Sequence, residues 1–138
     1  MKFKQRPILY RVWDGENLFY SDDLTKSGLI LNVGYAIPLI LNTSRADIYC
    51  EANFIFTQFT GLKDKYGKKI FEGDIVKILS WDKAEDDEPA DSFFIDVVCF
   101  KNANFTLQKE SHYTLSEWNK PRKFKIIGNI FENPELLK

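Results

Sequence analysis

Short apolar runs separated by polar turns follow one another along most of the chain. Residues 8–13 and 18–20 are two such runs, and they flank Asp14 and Gly15. An Asp-Gly pair between two apolar runs predicts a β-hairpin, because glycine accepts the positive φ that tight hairpin turns require. The same pattern predicts further strands at 48–60, 75–80, 93–100, 103–109 and 123–132, and two short pieces within 29–41.

Tight turns are predicted in the middle of the chain. Residues 64–67 (Asp-Lys-Tyr-Gly) and 72–74 (Glu-Gly-Asp) each combine an aspartate, which accepts hydrogen bonds from nearby backbone, with a glycine. Residues 102–104 predict a short hairpin connection between two strands. Gly128 stands inside the last predicted strand, where it indicates a β-bulge or a close approach of backbone.

Polar segments separate these elements. Residues 82–92 hold six acidic side chains and one lysine, a composition that predicts an exposed loop. Residues 110–122 predict a second polar excursion, in which Trp118 is the large apolar residue. Asn133 followed by Pro134 predicts a helix N-cap and first helical position, and hence a single helical turn at 134–137.

The amino-acid composition argues against several classes of protein function. The chain has 138 residues, of which 44% are hydrophobic and 15% aromatic, so it can bury a core and its strands suit aromatic side chains. The 19 basic and 20 acidic residues nearly balance, unlike the excess of a dedicated nucleic-acid binder. With one histidine, two cysteines and no Cys-x-x-Cys motif, we expect no metal, no cofactor and no enzymatic activity. No apolar run approaches the length of a membrane span.

Two motifs carry a family resemblance. The first is TGLKDKYGKKIFEGDIV at 60–76, and the second is IGNIFENPELL at 127–137. Together with RVWD at 11–14, they resemble the YopX family of bacteriophage and prophage proteins, in order, over most of residues 8–137, with no matching counterpart for 21–53. The acidic segment 82–92 resembles a variable insertion.

The resemblance implies a phage or prophage origin and a place in the bacterial host cytoplasm. It also implies an SH3-like β-barrel at 54–138, closed by the short C-terminal helical turn and preceded by a β-rich N-terminal region at 1–53. The two parts could form one continuous domain. No catalytic residue is implied, so the expected role is non-enzymatic binding.

Basic residues near exposed aromatic residues form candidate nucleic-acid contacts, because small barrels combine basic loops with stacking aromatic rings. A lysine-rich hairpin tip is also an ordinary way to keep a turn hydrated, and the sequence leaves both interpretations open. The candidates fall at 63–69 and 118–125: Lys63, Lys65, Tyr66, Lys68, Lys69, Trp118, Lys120, Arg122, Lys123 and Lys125.

Aromatic residues of the N-terminal half form a candidate protein interface, because tyrosine and tryptophan are enriched at interfaces. We expect either an unidentified protein partner or self-association, and the balanced charge favours a protein partner over nucleic acid. The candidate interface residues are Trp13, Phe19, Tyr20, Tyr35 and Tyr49.

Overall fold

Antiparallel β structure dominates the protein, as a computed structural model shows for residues 9–20, 30–32, 35–37, 55–79, 93–118 and 124–138. The prediction of a mainly β fold is therefore confirmed. The strands are β1 (Tyr10–Trp13), β2 (Leu18–Tyr20), β3 (Ile30–Asn32), β4 (Tyr35–Ile37), β5 (Ile55–Lys63), β6 (Lys69–Phe71), β7 (Asp74–Leu79), β8 (Phe93–Lys101), β9 (Asn104–Leu107) and β10 (Phe124–Asn129). One helix, α1 (Leu115–Trp118), and a C-terminal 3-10 turn, Pro134–Leu137, complete the described elements.

The chain divides into two compact units, Pro7–Gln58 and Phe59–Lys138, the second also including Met1–Arg6. In the N-terminal unit, β1 pairs with β2 across the predicted Asp-Gly hairpin and with the first residues of β5. The backbone N–H groups of Asn17 and Glu16 donate to Asp14 Oδ1, and these bonds lower the pKa of the Asp14 carboxyl. The assignment of 1–53 and 54–138 as N-terminal region and SH3-like barrel stays a prediction.

In the C-terminal unit, four strands form an antiparallel sheet in the order β10-β7-β8-β9. Separately, the last residues of β5 pair with β6, a strand that the sequence pattern did not predict. Eight buried side chains of this unit pack into one apolar cluster: Ile70, Val76, Ile78, Val98, Leu107, Leu115, Trp118 and Phe124.

Helix α1 was also missed by the sequence pattern, which predicted only a polar excursion at 110–122. Its N-terminus is a capping box: Glu117 Oε2 accepts the backbone N–H of Thr114, and Thr114 Oγ1 accepts the N–H of Glu117. The Thr-x-x-Glu spacing was the available signal. The helix brings Leu115 and Trp118 into the core.

The predicted bulge at Gly128 is confirmed, because the β10–β7 register shifts between Ile126 and Gly128. A Cβ on Gly128 would lie 2.6 Å from Asn133 Oδ1, so the two residues are in close contact. The predicted turn 134–137 is present as a 3-10 helix with Asn133 as its N-cap residue and Pro134 at its start, but the Asn133 side chain makes no cap hydrogen bond. Asn133 Oδ1 instead accepts the backbone N–H of Asn129 and so ties the end of β10 to this turn.

The predicted turn at 72–74 is confirmed, with Gly73 at φ +84°. We expect Gly73→Val to lower the free energy of unfolding by about 3 kcal/mol, because a β-branched residue is strained at positive φ and would crowd Ile130 and Phe131. Urea denaturation measures this loss. Gly15→Val is the control, since Gly15 has φ +108° but open space around it, and a smaller loss is expected. An unchanged midpoint for Gly73→Val would contradict the turn.

The hairpin connection between β8 and β9 holds two non-glycine residues at positive φ, Asn102 at 50° and Ala103 at 62°. Alanine is disfavoured there, whereas glycine is the preferred second residue of such a turn. We expect Ala103→Gly to raise the thermal midpoint, with a gain of about 1 kcal/mol. A lower midpoint would contradict this backbone conformation.

Candidate functional site

The basic turn, residues 63–69, joins β5 to β6 and carries the first group of candidate nucleic-acid contacts. The register places Lys63 directly opposite Lys69, while Lys65 and Lys68 are exposed. Tyr66 is 70% exposed, and Lys65 Nζ lies 5.2 Å from the centre of its ring. The turn therefore presents one aromatic ring among lysine side chains.

Asp64 holds the basic turn in shape. Its side chain is 2% exposed, and its Oδ1 accepts the backbone N–H groups of Tyr66 and Lys68. Its Oδ2 accepts the N–H of Ile126 in β10. The backbone N–H of Lys65 donates to the carbonyl of Phe124, so two hydrogen bonds attach the turn to the start of β10.

Lys125 lies between these two attachment points and is exposed. The structure thus brings Lys125, from the second predicted cluster, beside the first cluster. Lys120, Arg122 and Lys123 lie outside the described residues. Trp118 differs from the prediction of an accessible stacking ring: the residue is 7% exposed, and its ring makes T-shaped contacts with Phe94 and Tyr113.

The described N-terminal aromatic residues are less exposed to solvent than a candidate interface in the sequence suggests. Trp13, Phe19 and Tyr20 are each half-buried. Tyr35 belongs to β4, but its side chain lies outside the described part of the structure, as does the whole of Tyr49. The hypothesis of an N-terminal aromatic interface stays a prediction.

An apolar groove in the C-terminal unit was missed by sequence analysis. It is an open cavity of about 650 Å³ between β8 and the C-terminal 3-10 turn. Lys109, Glu110 and Lys138 provide its charged groups. Its apolar lining consists of Phe93, Phe94, Ile95, Trp118, Leu136 and Leu137. No sequence signal joins these apolar residues, because they fall in three segments, 93–95, 118 and 136–137, that lie at least 18 positions apart.

The groove is preformed on its strand side. Trp118 contacts Phe94 at 5.7 Å between ring centres, and its Nε1–H donates to the carbonyl of Glu110. Lys77 Nζ lies 3.6 Å from the centre of the Phe93 ring, a cation–π contact that fixes the other end. On the opposite wall, Leu136 and Leu137 are 37% and 39% exposed.

The described residues offer few side chains arranged for catalysis or metal binding. No group of three or more His, Cys, Asp or Glu side chains is placed to hold a metal ion there. His112 is exposed. Cys99 is half-buried, and burial raises the pKa of its thiol, which keeps it protonated at neutral pH. The two described helical segments span four residues each, too short to cross a bilayer.

Comparison with known proteins gives consistent matches along nearly the whole chain. The family model described as YopX protein matches residues 9–138. The SPbeta prophage-derived uncharacterized protein YopX of Bacillus subtilis (strain 168) is 31% identical over 130 residues, which cover 94% of this chain and 95% of that relative.

Solved structures of similar fold are also found. The crystal structure of protein EF1440 from Enterococcus faecalis matches with a TM-score of 0.62 at 23% identity, covering 97% of this chain and 100% of that one. The crystal structure of protein yopX from Bacillus subtilis matches with a TM-score of 0.59 at 27% identity, covering 94% and 95%. The first of these likenesses concerns the fold alone.

Removal of the Asp64 carboxylate tests whether it organises the basic turn. We expect Asp64→Ala to lower the free energy of unfolding by about 2–4 kcal/mol, because it removes the carboxylate that accepts three part-buried backbone N–H groups. Chemical denaturation measures the loss. Asp14→Ala is the matched control, since Asp14 also accepts turn N–H groups but at an exposed position. Equal losses for the two variants would contradict the organising role of Asp64.

Proposed function

The chain belongs to the YopX family, and from this membership we propose that it is a non-enzymatic accessory protein of a phage or prophage that acts by binding another protein. The prophage origin named for the Bacillus subtilis relative supports the phage setting. The cytoplasm of a bacterial host is the compartment that fits this setting, and the free Cys99 thiol is compatible with it.

The observation that carries the proposal is the apolar groove between β8 and the C-terminal 3-10 turn. Pockets for small ligands enclose most of the ligand surface, whereas this cavity is open along one side. Its apolar walls suit anchoring side chains of a larger partner, which enter a pocket while the surrounding contacts exclude water. The proposed occupant is a short apolar segment of a different protein.

The lining also supports a binding role over catalysis. Six of the lining side chains are aliphatic or aromatic, and the charged ones are two lysines and one glutamate. A catalytic site needs a nucleophile or an acid–base pair held at the substrate. The groove instead combines apolar and aromatic side chains with a few charged ones, a composition that is found at protein interfaces.

Two substitutions in the outer wall test the groove. We expect Leu136→Gln/Leu137→Gln to weaken partner binding at least tenfold, because both exposed leucines lose apolar contact with the occupant. Ile55→Gln is the matched control: Ile55 is an exposed apolar residue on β5 that does not line the groove. Affinity capture from induced host cells, with nuclease treatment, compares the three proteins, and binding of each captured candidate is then measured with purified proteins.

The proposal predicts a nuclease-resistant partner that binds the wild type and the Ile55→Gln variant but not the double variant. Partners retained equally by the double variant would contradict the groove as the binding site. Light scattering over a hundredfold dilution tests whether the chain self-associates through the groove. A dimer abolished by the double variant would replace the partner protein with a second copy of this chain.

A further inference from the structure

The basic turn and the start of β10 together form a second surface, distinct from the apolar groove. Lys65 and Lys68 come from the turn, and Lys125 comes from a strand some 60 positions later in the chain. The bonds from Lys65 N–H to the Phe124 carbonyl and from Ile126 N–H to Asp64 Oδ2 hold these two segments together. We name this surface the lysine–tyrosine surface, made of Lys65, Tyr66, Lys68 and Lys125.

Positive charge on the lysine–tyrosine surface is locally concentrated although the chain as a whole is nearly neutral. All three lysines are exposed. The acidic residue inside the turn, Asp64, is buried, and its two oxygens already accept three backbone N–H groups. Lys63 and Lys69 stand opposite each other across β5 and β6, which adds two basic residues beside the turn.

The lysine–tyrosine surface also presents an exposed aromatic ring, that of Tyr66. Its ring is 70% exposed at the tip of a turn that Asp64 holds rigid, although an apolar ring gains nothing from contact with water. Tyr113 is also exposed, but its ring makes a T-shaped contact with the Trp118 ring. The Tyr66 ring instead contacts the ammonium group of Lys65. Tyr66 therefore offers a preformed aromatic face beside cationic groups.

We propose that the lysine–tyrosine surface binds single-stranded nucleic acid, with Lys65, Lys68 and Lys125 contacting phosphates and Tyr66 stacking on a base. Single strands combine a repeating anion with accessible base faces, and proteins bind them through basic grooves with stacking aromatic rings. Duplexes keep their base faces inside the stack, so a single protruding tyrosine gains no partner there. This activity uses other residues than the proposed protein groove and does not depend on it.

Fluorescence anisotropy with a labelled oligothymidylate of about 16 nucleotides tests the proposal on the full chain. We expect a dissociation constant in the micromolar range at low salt, with affinity falling as salt rises by a slope of about −0.7 per phosphate contact. The matching duplex is expected to bind more weakly. Equal or tighter binding of the duplex would overturn the assignment to single strands.

Four variants separate the roles of the residues. Tyr66→Ala is expected to weaken binding about 5- to 150-fold with an unchanged salt slope, whereas Tyr66→Phe retains binding because the ring is kept. Lys65→Gln/Lys68→Gln is expected to reduce the magnitude of the slope by about 1.4, and Lys125→Gln by about 0.7. A slope that Lys125→Gln leaves unchanged would overturn the composite surface.

The matched control removes one charge at a different place. Lys101 is an exposed residue at the end of β8 that does not line the apolar groove, and Lys101→Gln removes one charge, as Lys125→Gln does. Binding by the lysine–tyrosine surface predicts an unaltered slope for this control. If Lys101→Gln weakens binding as much as Lys125→Gln, the attraction is non-specific and the proposal fails. It also fails if polyglutamate displaces the oligonucleotide as well as unlabelled oligothymidylate does, because the surface would then be a site for acidic protein segments.

Discussion

The hydrogen bonds of the buried Asp64 carboxylate are the interaction on which the C-terminal unit depends. The chain must turn sharply between β5 and β6 and also meet β10, and both requirements leave backbone N–H groups partly shielded from water. A buried N–H without an acceptor costs about as much as a lost hydrogen bond. Asp64 accepts N–H groups from both the turn and β10, so a single carboxylate fixes local shape and long-range contact together.

Two other buried aspartates act in the same way along the sheet. Asp74 Oδ2 accepts the N–H of Phe71 at the turn between β6 and β7. Asp96, within β8, accepts the N–H groups of Lys109 and Glu110, where the chain leaves β9. The segment that Asp96 fixes leads to helix α1 and to Trp118, whose indole donates to the Glu110 carbonyl. The irregular connections are thus held by carboxylates, and the apolar core is left to the strands and the helix.

The C-terminal unit carries two candidate surfaces of different chemistry, the lysine–tyrosine surface and the apolar groove, because its rigid connections hold different side chains at each. On the side of the β5–β6 turn, the backbone is satisfied by Asp64, so its lysines and Tyr66 remain at the surface. At the other site, Trp118 and Phe94 are fixed by core packing, and the C-terminal 3-10 turn supplies two exposed leucines opposite them. Such folds support different functions through side chains placed on a shared scaffold. Membership in the YopX family describes the chain as a whole, whereas the proposed binding chemistry depends on these particular side chains.

Local sequence predicted most of the described strands, the Asp-Gly hairpin, the turns at 64–67 and 72–74 and the bulge at Gly128, because strand alternation and turn chemistry depend on neighbouring residues. The bounds of β5 differ, since the pattern predicts a strand at 48–60 and the described strand is Ile55–Lys63. The pattern missed β6, a three-residue strand lying between two turns, and it missed α1, whose four residues are too few for helical periodicity. The candidate lysines were visible in the sequence, but only tertiary structure placed Lys125 beside the basic turn and buried Trp118. The groove was decided by tertiary structure alone, because long-range packing, which no local pattern encodes, brings β8, Trp118 and the C-terminal leucines together.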